Sequence, residues 1–276
     1  MSEERQRLFE LGEIVPWLKG GGWRGMLRGG VERVLGLPQV WRMLDEMRVR
    51  TAEGQHPYEA FVDASGIRLD GQAVTDAIPK EGGVVVIANH PYGGADALAL
   101  SALAVRGRPD MKVLANAELL GIDPVAPFMI PLYILGEERT DRRNVASLRA
   151  ALDHLEAGGL LVVFPAGAVS HWQRESARVE DPPWPGHTAR LVVKSGAPVL
   201  PVRFFGRNGI WYQVLGAVHP FLRTAFIPRA FLTMRGKVVR CGAGKLLEFK
   251  DLPREAEALT AALREAVEAV SEDEGN

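Results

Sequence analysis

Residues 84–96 read Val84-Val85-Val86-Ile87-Ala88-Asn89-His90-Pro91-Tyr92-Gly93-Gly94-Ala95-Asp96, and this stretch decides the fold. Five apolar residues in an unbroken run have the pattern of a strand buried on both faces, as in a parallel sheet. The run ends in a polar Asn-His, and a Pro with two glycines makes a turn. Apolar residues then resume at helical density from Ala95 to Val105. Ligands of parallel α/β sheets bind just beyond the carboxyl ends of strands, which is where His90 falls.

The same alternation continues outward. Strands are predicted over Gly83–Ala88, Lys112–Ala115, Leu160–Phe164 and Val199–Phe205, and helices over Ala95–Val105, Asn144–Glu156 and Thr188–Ser195. A Pro-bounded stretch without a clear period runs to Leu135. Strands alternating with helices of about ten residues indicate an α/β fold, a mainly parallel sheet flanked by helices. A last helix is expected near Arg254–Val270, with Leu259, Leu263, Val267 and Val270 as its inner stripe. Upstream, Ala60–Val62 and Ile67–Leu69 read as short strands. Residues 1–50 read as helix on either side of a Gly-rich break at Lys19–Gly25, with Leu8, Leu11, Val15 and Leu18 on one face and Val40, Leu44 and Met47 on another. The expected division is an N-terminal helical segment, residues 1–57, and a main domain, residues 58–276.

Composition narrows the function. With 276 residues, 47% hydrophobic, the chain can bury a full core. Its formal net charge of −1 argues against a general nucleic-acid binder. Cys241 stands alone and fits a reducing compartment. The first twenty residues lack the apolar core of a secretory signal, and no run of about 18 apolar residues is present to span a bilayer. The expected location is cytoplasmic, peripheral on the inner face of the cell membrane. The charge is unevenly placed: Arg203 to Leu247 holds eight basic residues and no acidic one, interleaved with Phe221, Leu222, Phe226, Ile227, Phe231 and Leu232. Such a segment suits an anionic membrane surface or an acidic carrier protein, unless acidic helices balance it in space. Trp17 and Trp23 beside Lys19, Arg24 and Arg28 repeat the mixture found at membrane interfaces, the alternative being that they pack on the main domain.

The chemistry centres on His90. Asp96, six positions on, can fold back to bond the imidazole, fix its tautomer and favour the imidazolium formed when the ring accepts a proton. The bland alternative is a loop His with Asp96 as a plain helix cap. Gly93 and Gly94 allow positive φ or a close backbone approach to substrate, and Asn89 borders the same turn. A second loop, Phe164-Pro165-Ala166-Gly167-Ala168-Val169-Ser170, leaves a buried strand on the same sheet edge. The N–H groups around Gly167 are candidate donors to an oxyanion or a phosphate. The other histidines show no ligand-like spacing, so no metal is expected. No Gly-x-Ser-x-Gly elbow is present, and the glycines at 20–22 and 242–244 lack a nucleotide-binding context, so no cofactor is expected.

Asn89-His90-Pro91-Tyr92-Gly93-Gly94-Ala95-Asp96 resembles the His-x4-Asp block of the lysophospholipid and glycerol-phosphate acyltransferases. It is most similar to their bacterial branch of putative hemolysins and ornithine- or amino-acid-lipid acyltransferases. That branch has Asn-His-Pro-x-Gly-Gly-x-Asp, with five intervening residues as here. Phe164–Ser170 resembles the Phe-Pro-Glu-Gly block. Val199-Leu200-Pro201-Val202 resembles the Val-Pro-x-x-Pro-Val block, and Phe205-Gly206-Arg207-Asn208-Gly209 the Gly-Arg-Asn-Ser segment. Residues 131–144, with Arg139, Arg142 and Arg143 as anion contacts, stand where a further block belongs, in a looser pattern. The resemblance spans about residues 79–247.

The resemblance implies an acyltransferase with His90 as base and Asp96 as its partner. Substrate contacts are then expected at Asn89, Gly93, Gly94, Arg139, Phe164, Pro165, Ala166, Gly167 and Arg207. The donor it implies is an acyl thioester of acyl carrier protein or coenzyme A, and the acceptor a hydroxyl or amine of a lysolipid-like molecule. Ala166 replaces the Glu that the family associates with the glycerol-phosphate acceptor, which argues against glycerol 3-phosphate. A thioesterase using the same dyad, and a non-catalytic acyl-chain carrier, are the alternatives.

Overall fold

The computed structural model describes residues 21–133 and 138–272, the side chains of 138–141 excepted. A seven-stranded sheet runs in the order β1 (Arg68–Asp70), β9 (Val238–Ala243), β8 (Val199–Phe205), β2 (Val84–Ala88), β5 (Leu160–Val163), β3 (Lys112–Asn116) and β4 (Met129–Leu132). The five strands from β8 to β4 are mutually parallel; β9 is antiparallel to β8, and β1 parallel to β9.

The apolar run at 84–88 is explained by its position. Flanked by β5 and β8, β2 sends alternate side chains to opposite faces of the sheet, and both faces are covered. Val84, Val86 and Ala88 enter one core. Its other members include Met43, Leu44 and Met47 of α2 (Leu37–Ala52), Tyr58 and Val62 of α3 (Pro57–Ser65), Val74 of α4 (Gln72–Ala77), and Leu100 and Leu103 of α5 (Gly94–Gly107). Val85 and Ile87 enter the other, formed with Ala151 and Leu155 of α6 (Glu138–Glu156), Leu191 and Val192 of α7 (His187–Ser195), and Leu259 and Leu263 of α11 (Ala256–Glu268). All five β2 residues have no solvent exposure. Full burial of such a side chain contributes about 1.5–3 kcal/mol, so both layers depend on this strand.

Most predicted elements stand within a few residues of their expected bounds. Leu259, Leu263, Val267 and Val270 are all buried. Ala60–Val62 is a correction: it lies inside helix α3. His56 Nδ1 accepts the Tyr58 N–H at 3.3 Å as an N-cap, Pro57 occupies the first turn, and Gly66 at φ 68° ends the helix. These local end signals outweigh the β preference of Phe61 and Val62. The Pro-bounded stretch conceals β4, an edge strand in which Pro131 is tolerated because one side of the strand has no partner among the described residues. Of the N-terminal expectations, Leu8, Leu11, Val15, Trp17, Leu18 and Lys19 lie outside the described residues. The described part begins with α1 (Trp23–Leu35), which turns at Gly36 into α2. Three short helices follow β8: α8 (Ile210–Val218), α9 (Pro220–Ala225) and α10 (Ile227–Leu232).

Chain order locates the crevice. From β2 the chain goes through α5 to β3, beyond β5; from β5 it goes through α7 to β8, on the other side of β2. Neighbouring strands that lead away in opposite directions leave a gap at their carboxyl ends, where α/β sheets bind ligands. His90 comes after one of them and Phe164 after the other.

Candidate active site

Asp96 organises the loop after β2. Fully buried in the first turn of α5, it accepts the Tyr92 N–H (2.7 Å) and the Gly93 N–H (3.2 Å) on Oδ2, and the Ala97 N–H (2.7 Å) on Oδ1. One carboxylate thus caps the helix and folds the preceding turn back onto it. Gly93, at φ 79°, makes that fold possible, and a Cβ there would stand 2.9 Å from Val169 Cγ2. The turn brings His90 Nδ1 to 3.0 Å from Asp96 Oδ1. The pair is at ion-pair distance, with the ring N–H not aligned on the oxygen. Such contacts commonly tighten when substrate binds. Burial disfavours the charged ring, but the Asp96 carboxylate, with a smaller contribution from Asp181, outweighs it and holds His90 above the ordinary histidine value. Nε2 has no hydrogen-bond partner among the described residues.

The opposite wall comes from β5 and the segment after it. The Phe164 ring packs on the imidazole, centroids 4.5 Å apart. Beyond it a small hairpin, β6 (His171–Gln173) and β7 (Arg178–Glu180), is bracketed by Ser170 and Asp181. Ser170 N–H donates to the His90 carbonyl at 2.8 Å, and the His90 N–H donates to Asp181 Oδ1 at 3.1 Å. Asp181 and Trp184 were not among the residues singled out from the sequence, and Ser170 stood there only as the end of the second loop. An acid 91 positions from His90 in a Pro-rich turn carries no periodic signal; its burial identifies it.

The expected substrate contacts fare unequally. Asn89 uses both ends of its amide on Phe204, accepting the N–H at 2.7 Å and donating to the carbonyl at 3.0 Å. It ties the end of β2 to β8 through both ends of that amide. Gly94 faces Phe231, which a Cβ would approach to 3.3 Å, so helix packing accounts for it. Gly167, at φ 62° and exposed, gives its N–H to the Phe164 carbonyl at 3.1 Å. The expected oxyanion donor is therefore used by its own turn, and the Ala168 and Val169 N–H groups are among those of the loop without a partner among the described residues. Pro165 and Ala166 are buried beneath the loop. Arg207 is exposed beyond the end of β8, at the same end of the sheet as His90. The side chain of Arg139 lies outside the described residues; Arg142 and Arg143 are exposed on α6.

Comparison with known proteins agrees with this architecture. Residues 73–204, which contain both loops, match the Acyltransferase family. A lyso-glycine lipid O-acyltransferase of Phocaeicola vulgatus is 26% identical over 159 residues, 57% of this chain and 53% of that protein. The enzyme of the same name from Bacteroides thetaiotaomicron is 28% identical over 162 residues, 57% of each chain. The chain thus spans little more than half the length of the curated relatives it matches. The crystal structure of the 1-acyl-sn-glycerophosphate acyltransferase PlsC of Thermotoga maritima shares the fold, with a TM-score of 0.51 at 19% identity, over 88% of this chain and 86% of that one. With both loops and the parallel sheet's central strands inside the match, residues 73–204 are an acyltransferase domain similar to those of the lysolipid and glycerol-phosphate acyltransferases.

Proposed function

We propose that this protein transfers a fatty acyl group from a thioester of acyl carrier protein or coenzyme A to a hydroxyl of a lysolipid-like acceptor. The observation that carries the reading is the His90–Asp96 pair, 3.0 Å apart, at the carboxyl end of β2 beside the opening between β2 and β5. The Nδ1 side of the ring faces a buried carboxylate, which leaves Nε2 for the reactant. As the acceptor oxygen attacks the thioester carbonyl, its proton passes to Nε2. A carbon–oxygen bond forms, the carbon–sulfur bond breaks, and the departing thiolate recovers the proton from the imidazolium. Uncommitted N–H groups such as those of Ala168 and Val169 are candidate donors to the oxyanion. The names of the relatives favour an amino-acid lysolipid as acceptor class, and Ala166, in place of an acid, fits an acceptor other than glycerol 3-phosphate.

The test is thiol release from acyl thioesters with and without lysolipid acceptors. Release that depends on the acceptor and yields a doubly acylated lipid is expected. Release of free fatty acid without acceptor would replace this reading with a thioesterase, and tight acyl-ligand binding without turnover with a carrier.

A membrane-facing surface belongs to the same proposal. Among the described residues no helix is long and apolar enough to cross a membrane, but one face is apolar and basic. Helix α1 exposes Trp23, Met26, Leu27 and Val34; α8 and α9 expose Ile210, Val214, Val218 and Phe221. Between them an open cavity of about 580 Å³ is lined by Arg33, Val34, Trp211, Phe226, Arg229 and Thr233. Exposed apolar surface rimmed by arginine suits the headgroup layer of an anionic bilayer. Each basic residue near such a surface contributes about 1 kcal/mol, so the charge reversal Arg229→Glu, worth about 2 kcal/mol, is expected to weaken partitioning to anionic vesicles roughly thirtyfold. Activity on vesicles should fall accordingly and activity on detergent-dispersed substrate should hold. Equal losses in both would exclude a docking role for Arg229.

A further inference from the structure

We propose that Asp181 is a positioning residue for His90, fixing the backbone of the base while Asp96 orients its ring. The proposal rests on His90 acting as the base. Asp181 is only 6% exposed, and three donors converge on its carboxylate. The His90 N–H and the Ser170 hydroxyl share Oδ1, and the Trp184 indole N–H reaches Oδ2 at 3.0 Å. The other end of the hairpin holds His90 as well, because the Ser170 N–H donates to the His90 carbonyl at 2.8 Å. Thus the backbone of His90 is gripped at its N–H and at its C=O by the two residues bracketing one hairpin, far away in sequence. Asp181 caps no helix: Gly186 is the N-cap of α7. Local chain geometry therefore does not account for a buried acid here, and the grip on His90 does.

Charge adds to geometry. Burial pushes the Asp181 carboxyl up while the Ser170, His90 and Trp184 donors pull it down, and its negative charge favours the His90 imidazolium in the same sense as that of Asp96. The groups facing the pair are few. His90 is met by Asp96 of α5, Asp181 and the Phe164 ring. Asp181 is met by Ser170 and His171 of the hairpin segment and by Trp184. Arg264 of α11 reaches only its backbone carbonyl, at 3.5 Å, and pairs with Glu180 and Glu268.

The experiment tracks the His90 imidazole titration by NMR, alongside kcat and KM, in wild type, Asp181→Asn and Ser170→Ala. Asparagine keeps an acceptor for His90 and Ser170 but removes the charge. Expected for Asp181→Asn is a His90 midpoint moved to lower pH, with kcat down about tenfold and KM within about twofold, since the lost charge no longer favours the imidazolium formed in the chemical step. Ser170→Ala removes a donor from the same buried cluster and keeps the charge, so the His90 midpoint should stay in place. Folded Asp181→Asn with wild-type titration and kcat would overturn the proposal, as would Ser170→Ala matching it in both. Because the new amide would face the Trp184 N–H, Asp181→Asn is also paired with Trp184→Phe, which removes that conflict and carries the same expectation. The titration needs no turnover, so it tests Asp181 even if His90→Ala retains full activity and the assigned base is wrong.

Discussion

His90→Ala is expected to lower acyl transfer by about 10²–10⁴-fold, the range general-base help supplies, with little change in stability. The two effects separate because of how the loop is built. Asp96 accepts its three backbone N–H groups whether or not the imidazole is present, so removing the ring orphans no buried carboxylate. The backbone of His90 stays held by Ser170 and Asp181. The melting temperature should move by no more than a few degrees, and KM for the thioester should change little, since the lost contact is one made to the transferring proton. The wild-type pH profile carries a further signature. Only the neutral ring accepts a proton, and His90 is held above the ordinary histidine value of about 6.5. Activity should therefore rise with pH on a limb whose midpoint lies above that value, and this limb should be missing from any residual activity of the variant. Full turnover by folded His90→Ala would remove His90 from the mechanism.

The sheet and the site were unequally legible in the sequence. The run at 84–88 could be read because a strand buried on both faces must be apolar throughout, a constraint visible without neighbours. The strands at 160–163 and 199–205 and the stripe of α11 obey the same period rules. Ala60–Val62 went to the wrong class because three apolar residues do not distinguish strand from helix, whereas Pro57 and Gly66 at the helix ends do. Within the site, His90 and Asp96 are close in sequence and joined by a turn whose glycines announce it. Asn89 and Gly167 border the two loops, but their hydrogen-bonding groups bond Phe204 and Phe164, and only coordinates show how a donor is used. Asp181 was illegible for the opposite reason. Its partners come from three separated segments, and its value lies in a burial that composition does not reveal.

Asp96→Asn is expected to lower rate and stability together, and this coupling distinguishes it from His90→Ala. The carboxylate serves four groups: the Tyr92 and Gly93 N–H on one oxygen, the Ala97 N–H and His90 Nδ1 on the other. An amide has one acceptor end. With its oxygen toward Tyr92 and Gly93, its NH₂ opposes the Ala97 N–H and the ring; reversed, it opposes two N–H groups at the helix start. Leaving a buried donor unsatisfied costs about 1–3 kcal/mol, and a domain of this size loses about 2–4 °C of melting temperature per kcal/mol. A fall of roughly 2–12 °C is the expected result. Transfer should fall by about 10²-fold or more, because the ring loses both its orienting partner and the charge that stabilises the imidazolium. The pH effect has a definite sign: without that charge His90 titrates lower, so the acidic limb moves to lower pH while the plateau drops. A purely structural Asp96 would lower the melting temperature and leave the limb where it was. A folded Asp96→Asn enzyme with wild-type kcat and an unmoved limb would reduce Asp96 to a helix cap and leave His90 without its partner.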